Sequence, residues 1–383
     1  MVSFEERVRG VLLSTALGDA MGATIEKLSY QQIKERYGRV ESLRTNWYKA
    51  DDSYEITLGR KRGNGIITDD TLMTVALMNV YLTEKRHLDA YDTGNAFVKE
   101  IAYKRTYIPE LGKEALIIER LFYPEKYIFI RHVLSNCEPR EAGIGNMINC
   151  GAAMYISPIG IVNAGNPKAA YDEAILFAMG HQSSYGLEAA GVLAACVAKA
   201  FESNVSVDDI VETAIQFAKD GTKNAIIDMT IAAKKLKENK AKMDTIIETL
   251  QTVIEPYSPM KDDIHRKIEK IGIPSNHYTP SRVFAIEELP MALAFIVLNN
   301  GEYYKSIFDG INSGRDTDSI GVMVGAILGA MYGDSIIREE DITLLEETNK
   351  TSYRQLADSF SVVAKNIIKE DITFSEKRKN MFK

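Results

Sequence analysis

The run from Gly310 to Gly333, GINSGRDTDSIGVMVGAILGAMYG, constrains this chain more than any other stretch. From Ile320 it is almost wholly apolar or Gly/Ala for three turns, and no charge interrupts it until Asp334. An apolar, Gly-rich run bracketed by turn signals predicts a helix buried on all sides. At its mouth, after the turn Asn312-Ser313-Gly314-Arg315, stand Asp316, Thr317, Asp318 and Ser319. Two carboxylates at i and i+2 in a non-helical turn can aim their oxygens at one point, and the helix N-terminus behind them favours negative charge. Oxygens of this kind suit a hard cation such as Mg²⁺. The competing account makes one acid an N-cap with Ser319 assisting. One cap needs one such residue, and this turn offers four in a row.

A second head of the same kind occurs at Thr68-Asp69-Asp70-Thr71, followed by Met73, Ala76, Leu77, Val80 and Tyr81 at helical spacing. As caps, Thr68 and the two acids would also suit the helix dipole. If the two heads meet, their oxygens suffice for a two-metal site. Four acids drawn together would repel strongly without cations.

The rest of the chain reads as helices. Ser3 caps a first helix with Val8, Val11, Leu12 and Ala16 inward. That helix runs into Gly18-Asp19-Ala20-Met21-Gly22-Ala23-Thr24-Ile25-Glu26. Glu26, where the apolar run ends, is either a solvated helix end or one more converging acid. Residues 36–65 read as a surface excursion with a short extended piece at Tyr54–Leu58 and a basic patch at Arg60-Lys61-Arg62. Residues 91–140 alternate helical pieces with Tyr-rich turns and show no motif. Gly143–Gly165 is dense in Gly, Asn and Ser, which allows close backbone approach to a phosphate or sugar, or equally tight helix packing. Asn166-Pro167 starts a helix that stops at Gly180. His181-Gln182-Ser183-Ser184-Tyr185 then forms a polar joint in which His181 is a structural group or a ligand contact. Further helices are expected at Ser206–Gly221 (capped, with a Gly stop), Lys223–Lys237, Met243–Ile254, Val283–Leu298 and Tyr303–Asp309. His265 and His277 fall in a connection and read as surface residues. The fold expected is all-α: one domain over residues 1–383, with its core at about 4–370.

A net charge of −7 argues against a nucleic-acid backbone as the main ligand. Three cysteines without a CxxC pair fit a reducing compartment, hence the cytoplasm. Residues 320–332 are too few and too Gly-rich to span a bilayer, and the N-terminus lacks a signal-peptide layout.

Four segments together resemble the ADP-ribosylglycohydrolase family, over about Gly10 to Gly333. They are Gly18-Asp19-Ala20-Met21-Gly22 running on to Glu26, Thr68-Asp69-Asp70-Thr71, His181 with its following serines, and Asp316-Thr317-Asp318-Ser319 before a Gly/Ala-rich helix. The resemblance implies an orthogonal helical bundle around two Mg²⁺ ions, with Mn²⁺ as an alternative, cleaving a glycosidic bond at ADP-ribose. It places Thr68, Asp69, Asp70, Asp316, Asp318 and Ser319 on the metal-ligand positions. Glu26 falls on the acidic residue that helps activate water, so the implied catalytic acids are Glu26, Asp69 and Asp316. Asp19, Gly151, Met154, His181, Ser183 and Tyr185 fall on substrate-lining segments. In that chemistry the ions hold the ribose hydroxyls and orient a water toward the anomeric carbon, and a carboxylate takes its proton.

Three positions depart from the family's pattern. Cys150-Gly151-Ala152-Ala153-Met154-Tyr155 stands where N-G-x-A-M-R is common, replacing the Asn and the Arg, and Arg315 replaces a common Gly. These departures keep other readings in view: a binuclear-Mg N-glycosidase of a nucleoside or other small riboside, a non-catalytic ADP-ribose-binding or structural relative, and a metal-dependent phosphohydrolase.

Overall fold

The computed structural model describes residues 2–146, 150–257 and 285–382. The first helix, α1 (Phe4–Gly22), opens on a reciprocal cap. The Ser3 hydroxyl accepts from the Glu6 amide at 3.2 Å, and Glu6 accepts from the Ser3 amide at 2.6 Å. The later elements that matter to the site are α2 (Asp69–Glu84), the strands β1 (Arg105–Ile108) and β2 (Lys113–Leu116), α3 (Pro167–Ala178), α4 (Ser184–Ala200), α5 (Ala285–Leu298), α6 (Thr317–Tyr332) and α7 (Tyr353–Asn380). Among the described residues the architecture is all-α apart from one hairpin, as the helical periodicity requires.

Helix α6 is the hub. Every residue from Thr317 to Met331 is buried, and α1, α4, α5 and the helix Tyr303–Ile311 pack around it. Its smallness permits this. A Cβ on Gly18 of α1 would lie 2.2 Å from the Gly321 carbonyl oxygen, and one on Gly22 would lie 2.4 Å from the Asp318 Cα. The two backbones are therefore in direct contact, and no other side chain fits between them. At the head end the Thr317 hydroxyl donates to the Gly22 carbonyl at 2.7 Å. At the tail end the Arg7 guanidinium donates to the carbonyls of Ala200, Ala330 and Met331 at 2.5–2.8 Å, capping α4 and α6 together. No described helix is long and apolar enough to cross a membrane.

Three local expectations need correction. Tyr54–Leu58 is not extended: Tyr54–Thr57 is one helical turn, closed by amides of Ile56 and Thr57 on the Ser53 carbonyl. No strand lies beside it, so a turn that satisfies its own hydrogen bonds wins over an unpaired strand. Within residues 91–140, β1 and β2 form an antiparallel hairpin pairing Thr106 with Ala115 and Ile108 with Lys113. The β-branched and aromatic run Thr106-Tyr107-Ile108 before Pro109 and Gly112 was the signal for it. Finally, the helix capped by Ser206 ends at Phe217, and Gly221 lies inside the next helix, Asp220–Glu238. The break falls at Ala218-Lys219, where the Lys219 amide is taken by Glu188 at 2.6 Å. His265, His277 and the first two residues of the expected 283–298 helix lie outside the described residues.

Gly18→Ala is expected to destabilise the protein by about 2–3 kcal/mol, because its methyl must displace backbone rather than a side chain. The midpoint of urea unfolding measures this. An unchanged midpoint would mean the two helices are not in backbone contact.

Candidate functional site

The two acidic heads meet. Ser319, in the first turn of α6, donates its hydroxyl to Asp70 Oδ1 at 3.0 Å, although 249 residues separate them. Asp316 holds the N-cap position of α6 yet makes no capping bond with its side chain. That observation weakens the cap account, since the carboxylate is turned away from the helix amides it would serve. At the other head Thr68 does cap: its Oγ1 accepts from the Asp70 amide at 3.4 Å. Carboxylate oxygens of Glu26, Asp316 and Asp318 lie within 4.8 Å of one another. Oxygens that share one small divalent cation lie roughly 3–4 Å apart, so these three would have to draw closer together to hold one.

Glu26 reaches this point because the chain leaving α1 is zipped to the turn before α6. The Lys27 amide donates to the Arg315 carbonyl at 2.9 Å, and the Arg315 amide to the Leu28 carbonyl at 2.8 Å. Gly314 and Arg315 both have positive φ, +88° and +73°. For an arginine this is a strained conformation. It is held by that pairing and by the Arg315 guanidinium on Glu287 at 3.0–3.1 Å.

Burial dominates the electrostatics. It pushes Asp318 up to about 7, with Glu26 adding to the effect and Arg62 opposing it. Burial and then Asp318 raise both Asp70 and Asp316 well above the ordinary carboxylate range. Asp19 is pushed to about 6 by burial, against hydrogen bonds from Thr71 and Thr68. Glu26 goes the other way: burial raises it, but Lys27 and Arg62 outweigh that and hold it ionised. These are buried oxygens with few internal cations, a hard donor set that fits a divalent ion. Cys150 adds a thiol that donates to Asp316 Oδ2 at 3.2 Å; burial raises its pKa well above the ordinary value, so it stays protonated.

Asp69 does not point into the carboxylate set. Its Oδ2 sits 2.5 Å from Arg120 Nη1, and Arg120 pairs in turn with Glu110. Glu110 also takes Arg62 Nε at 2.8 Å, and Arg62 pairs with Glu26. Sequence reasoning missed all three of these residues. Arg62 lay in a patch read as surface, yet it is buried, and Glu110 arrives on the hairpin turn that was not foreseen.

The residues expected to line substrate are scattered. Asp19 organises the head of α2, accepting from the amides of Thr68 and Thr71 and from the Thr71 hydroxyl at 2.5–3.1 Å. Met154 is buried in the single turn Ala153–Tyr155, next to Gly151. His181 is not in a polar joint: it is fully buried between Phe129 and Tyr155, at 5.1 and 5.6 Å between ring centres. Its Nδ1 meets the Tyr155 hydroxyl at 2.9 Å, and burial followed by His132 lowers its pKa to about 3. Ser183 contacts the Asn146 carbonyl at 3.4 Å, and Tyr185 is exposed.

Comparison with known proteins identifies the family. The sequence profile described as ADP-ribosylglycohydrolase matches residues 1–370. Protein YegU of Escherichia coli K12, whose function is uncharacterised, is 21% identical over 358 residues, 92% of this chain and 95% of that protein. Mouse ADP-ribosylhydrolase ARH3 is 24% identical over 332 residues, 85% of this chain and 84% of that protein, and the human ARH3 is 24% identical over 340. A solved structure described as an ADP-ribosylglycohydrolase-related protein complex shares the fold, with a TM-score of 0.62 at 17% identity over 95% of this chain and 100% of the other. With a match across nearly its whole length and two acidic helix heads joined at the hub, this chain belongs to the ADP-ribosylglycohydrolase family.

Proposed function

We propose that this protein is a divalent-metal-dependent glycohydrolase that cleaves the bond at the anomeric carbon of an ADP-ribosyl substrate, a glycosidase of the kind acting on N- or O-linked ribose. The observation that carries the reading is the convergence of the Glu26, Asp316 and Asp318 oxygens within 4.8 Å beside the Asp70–Ser319 contact, all at the junction of buried helices. Thr68, Asp70, Asp316, Asp318 and Ser319 would hold the metal, Mg²⁺ or Mn²⁺, as one or two ions, and Asp69 would join them only by releasing Arg120. When bound, such an ion supplies a fixed positive charge and Lewis acidity at neutral pH.

The chain's own groups do the rest. Ionised Glu26 can accept a proton from a water attacking the anomeric carbon. The water oxygen bonds to that carbon as the glycosidic bond breaks, and the proton passes on to the leaving atom. Carboxylates of Asp316 and Asp318 would offset positive charge growing on the sugar ring, and their burial would strengthen that interaction. The Cys150 thiol and the Ser319 hydroxyl fix the rotamers of Asp316 and Asp70. One continuous core from Val8 to Ile367 supports a single catalytic domain over 1–383, and three free cysteines support a cytoplasmic setting.

A second reading, a small riboside lacking the diphosphate, is favoured by Tyr155. It stands where relatives commonly carry Arg, and it is fully buried against His181, so this position presents no cation to a phosphate. Release of free ADP-ribose from modified peptide, compared with turnover of nucleosides at equal Mg²⁺, separates the two. Turnover of nucleosides alone would replace the first reading with the second.

Asp316→Asn should lower hydrolysis at least about 100-fold, in line with loss of a metal ligand. Its metal-free unfolding midpoint should be unchanged or raised, because a buried like-charge contact is removed. Wild-type turnover by this variant would end the assignment.

The pH dependence has a definite sign. Raised carboxyls mean that the folded chain binds more protons than the unfolded one between about pH 4 and pH 7, so metal-free stability should fall as pH rises through that window. Mg²⁺ must displace those protons, so the rise in Tm that it produces should be small at about pH 5 and grow above about pH 7. Thermal unfolding with and without Mg²⁺ at both pH values tests this. A shift that is larger at the acid end contradicts it.

A further inference from the structure

Five side chains with alternating charge run through the site, three buried (Glu110, Arg120 and Asp69) and two mostly so (Glu26 and Arg62). The contacts are Arg62 on Glu26, Arg62 Nε on Glu110 Oε1 at 2.8 Å, Arg120 on Glu110, and Arg120 Nη1 on Asp69 Oδ2 at 2.5 Å. Side-chain exposure is 7% for Arg62, 4% for Arg120 and nil for Glu110, so water screens little of this. The three inner members of this chain of charges are each anchored. Arg62 lies over the Trp47 ring at 5.7 Å, the Lys61 amide donates to the Glu110 carbonyl at 2.8 Å, and Arg60 donates to the Arg120 carbonyl at 2.9 Å. The turn between β1 and β2, Pro109–Leu111, delivers Glu110 to this place.

The arginines hold two of the acids that the proposed reaction needs, at opposite ends of the cluster. Lys27 also approaches Glu26, at 3.5 Å, but it is half-exposed and screened. A divalent ion entering the carboxylate set therefore competes with Arg62 and Arg120, and both take part of their charge balance from Glu110.

We propose that Glu110 is a positioning residue that sets the divalent-cation affinity of the site, by holding Arg62 and Arg120 as internal counter-cations on Glu26 and Asp69. This rests on the metal reading above. Glu110 touches neither the converging oxygens nor, in that reading, the substrate; it acts through the two arginines. Neutralising it makes the site one unit more positive and drives both arginines harder onto the acids, which weakens cation binding. Neutralising Arg62 does the reverse. For a divalent ion one charge removed at this range changes affinity by about tenfold or more, even at high effective dielectric.

Isothermal titration of Mg²⁺, repeated with Mn²⁺, into the full-length protein and into the Glu110→Gln and Arg62→Gln variants tests this without reference to substrate. The expected result is a dissociation constant raised about tenfold in Glu110→Gln and lowered by a similar factor in Arg62→Gln. General damage to the fold weakens binding in both and cannot yield opposite signs. If Glu110→Gln fails to fold, the sign in Arg62→Gln decides alone: tighter binding supports the proposal, and equal or weaker binding overturns it. Wild-type protein that binds neither ion removes the metal reading and this inference with it. Wild-type binding with unchanged affinity in folded variants overturns this inference only.

Discussion

Two helices touch backbone to backbone, and the site exists because they do. Gly18 on α1 and Gly321 on α6 leave no room for a side chain, and Gly22 meets the Asp318 backbone in the same way. Close approach on this scale fixes both the separation and the register of the helices. With the register set, the residues that leave α1 and those that enter α6 must share one small volume. Glu26 is brought to Asp316 and Asp318 by that geometry and by the pairing of residues 27–28 with Arg315, not by attraction between them. The third partner, α2, joins through Asp19. This residue belongs to α1 but satisfies the amides at the head of α2, setting Asp70 against Ser319.

Burying acids without enough counter-charge raises the energy of the ionised forms, and the protein divides the problem between two solutions. Glu26 and Asp69 are given arginines, which lie in a buried network completed by Glu110. Asp70, Asp316 and Asp318 receive mainly hydroxyl, thiol or amide donors and keep protons more tightly than ordinary carboxylates do. A fold that needed only stability would replace such groups with apolar residues of similar volume. Buried acids held this close are suited to an external cation, and the proposed metal chemistry draws on that imbalance.

The parts of this arrangement that were legible in the sequence are those written in one stretch. An uncharged, Gly-rich run after Asp316-Thr317-Asp318-Ser319 announces a buried helix with acids at its mouth, and α6 is that helix. The cap at Ser3 and the start at Asn166-Pro167 were equally readable, because each depends on neighbours within four residues. What escaped depends on partners far away. A patch such as Arg60-Lys61-Arg62 looks solvated until Glu110 and Glu26 are known to face Arg62, and Glu110 faces it only because a hairpin forms. Four-residue strands carry too little pattern to stand out among helical pieces. His181 misled for the opposite reason. Its neighbours in sequence are polar, while its neighbours in space are Phe129 and Tyr155.

The departures from the family's pattern become physical statements once placed. Tyr155 belongs to an aromatic group with Phe97, Phe129, Phe177 and His181, with centres 5.1–5.8 Å apart along the chain of contacts. A guanidinium at this position would have to be buried in that group, and neutral His181 could offer it no counter-charge. The Tyr hydroxyl needs only the one imidazole nitrogen it has. The segment is core at Tyr155, while Cys150, five residues earlier, reaches Asp316. The carboxylate set beside Cys150 and the aromatic group around Tyr155 are thus two distinct environments served by one short segment.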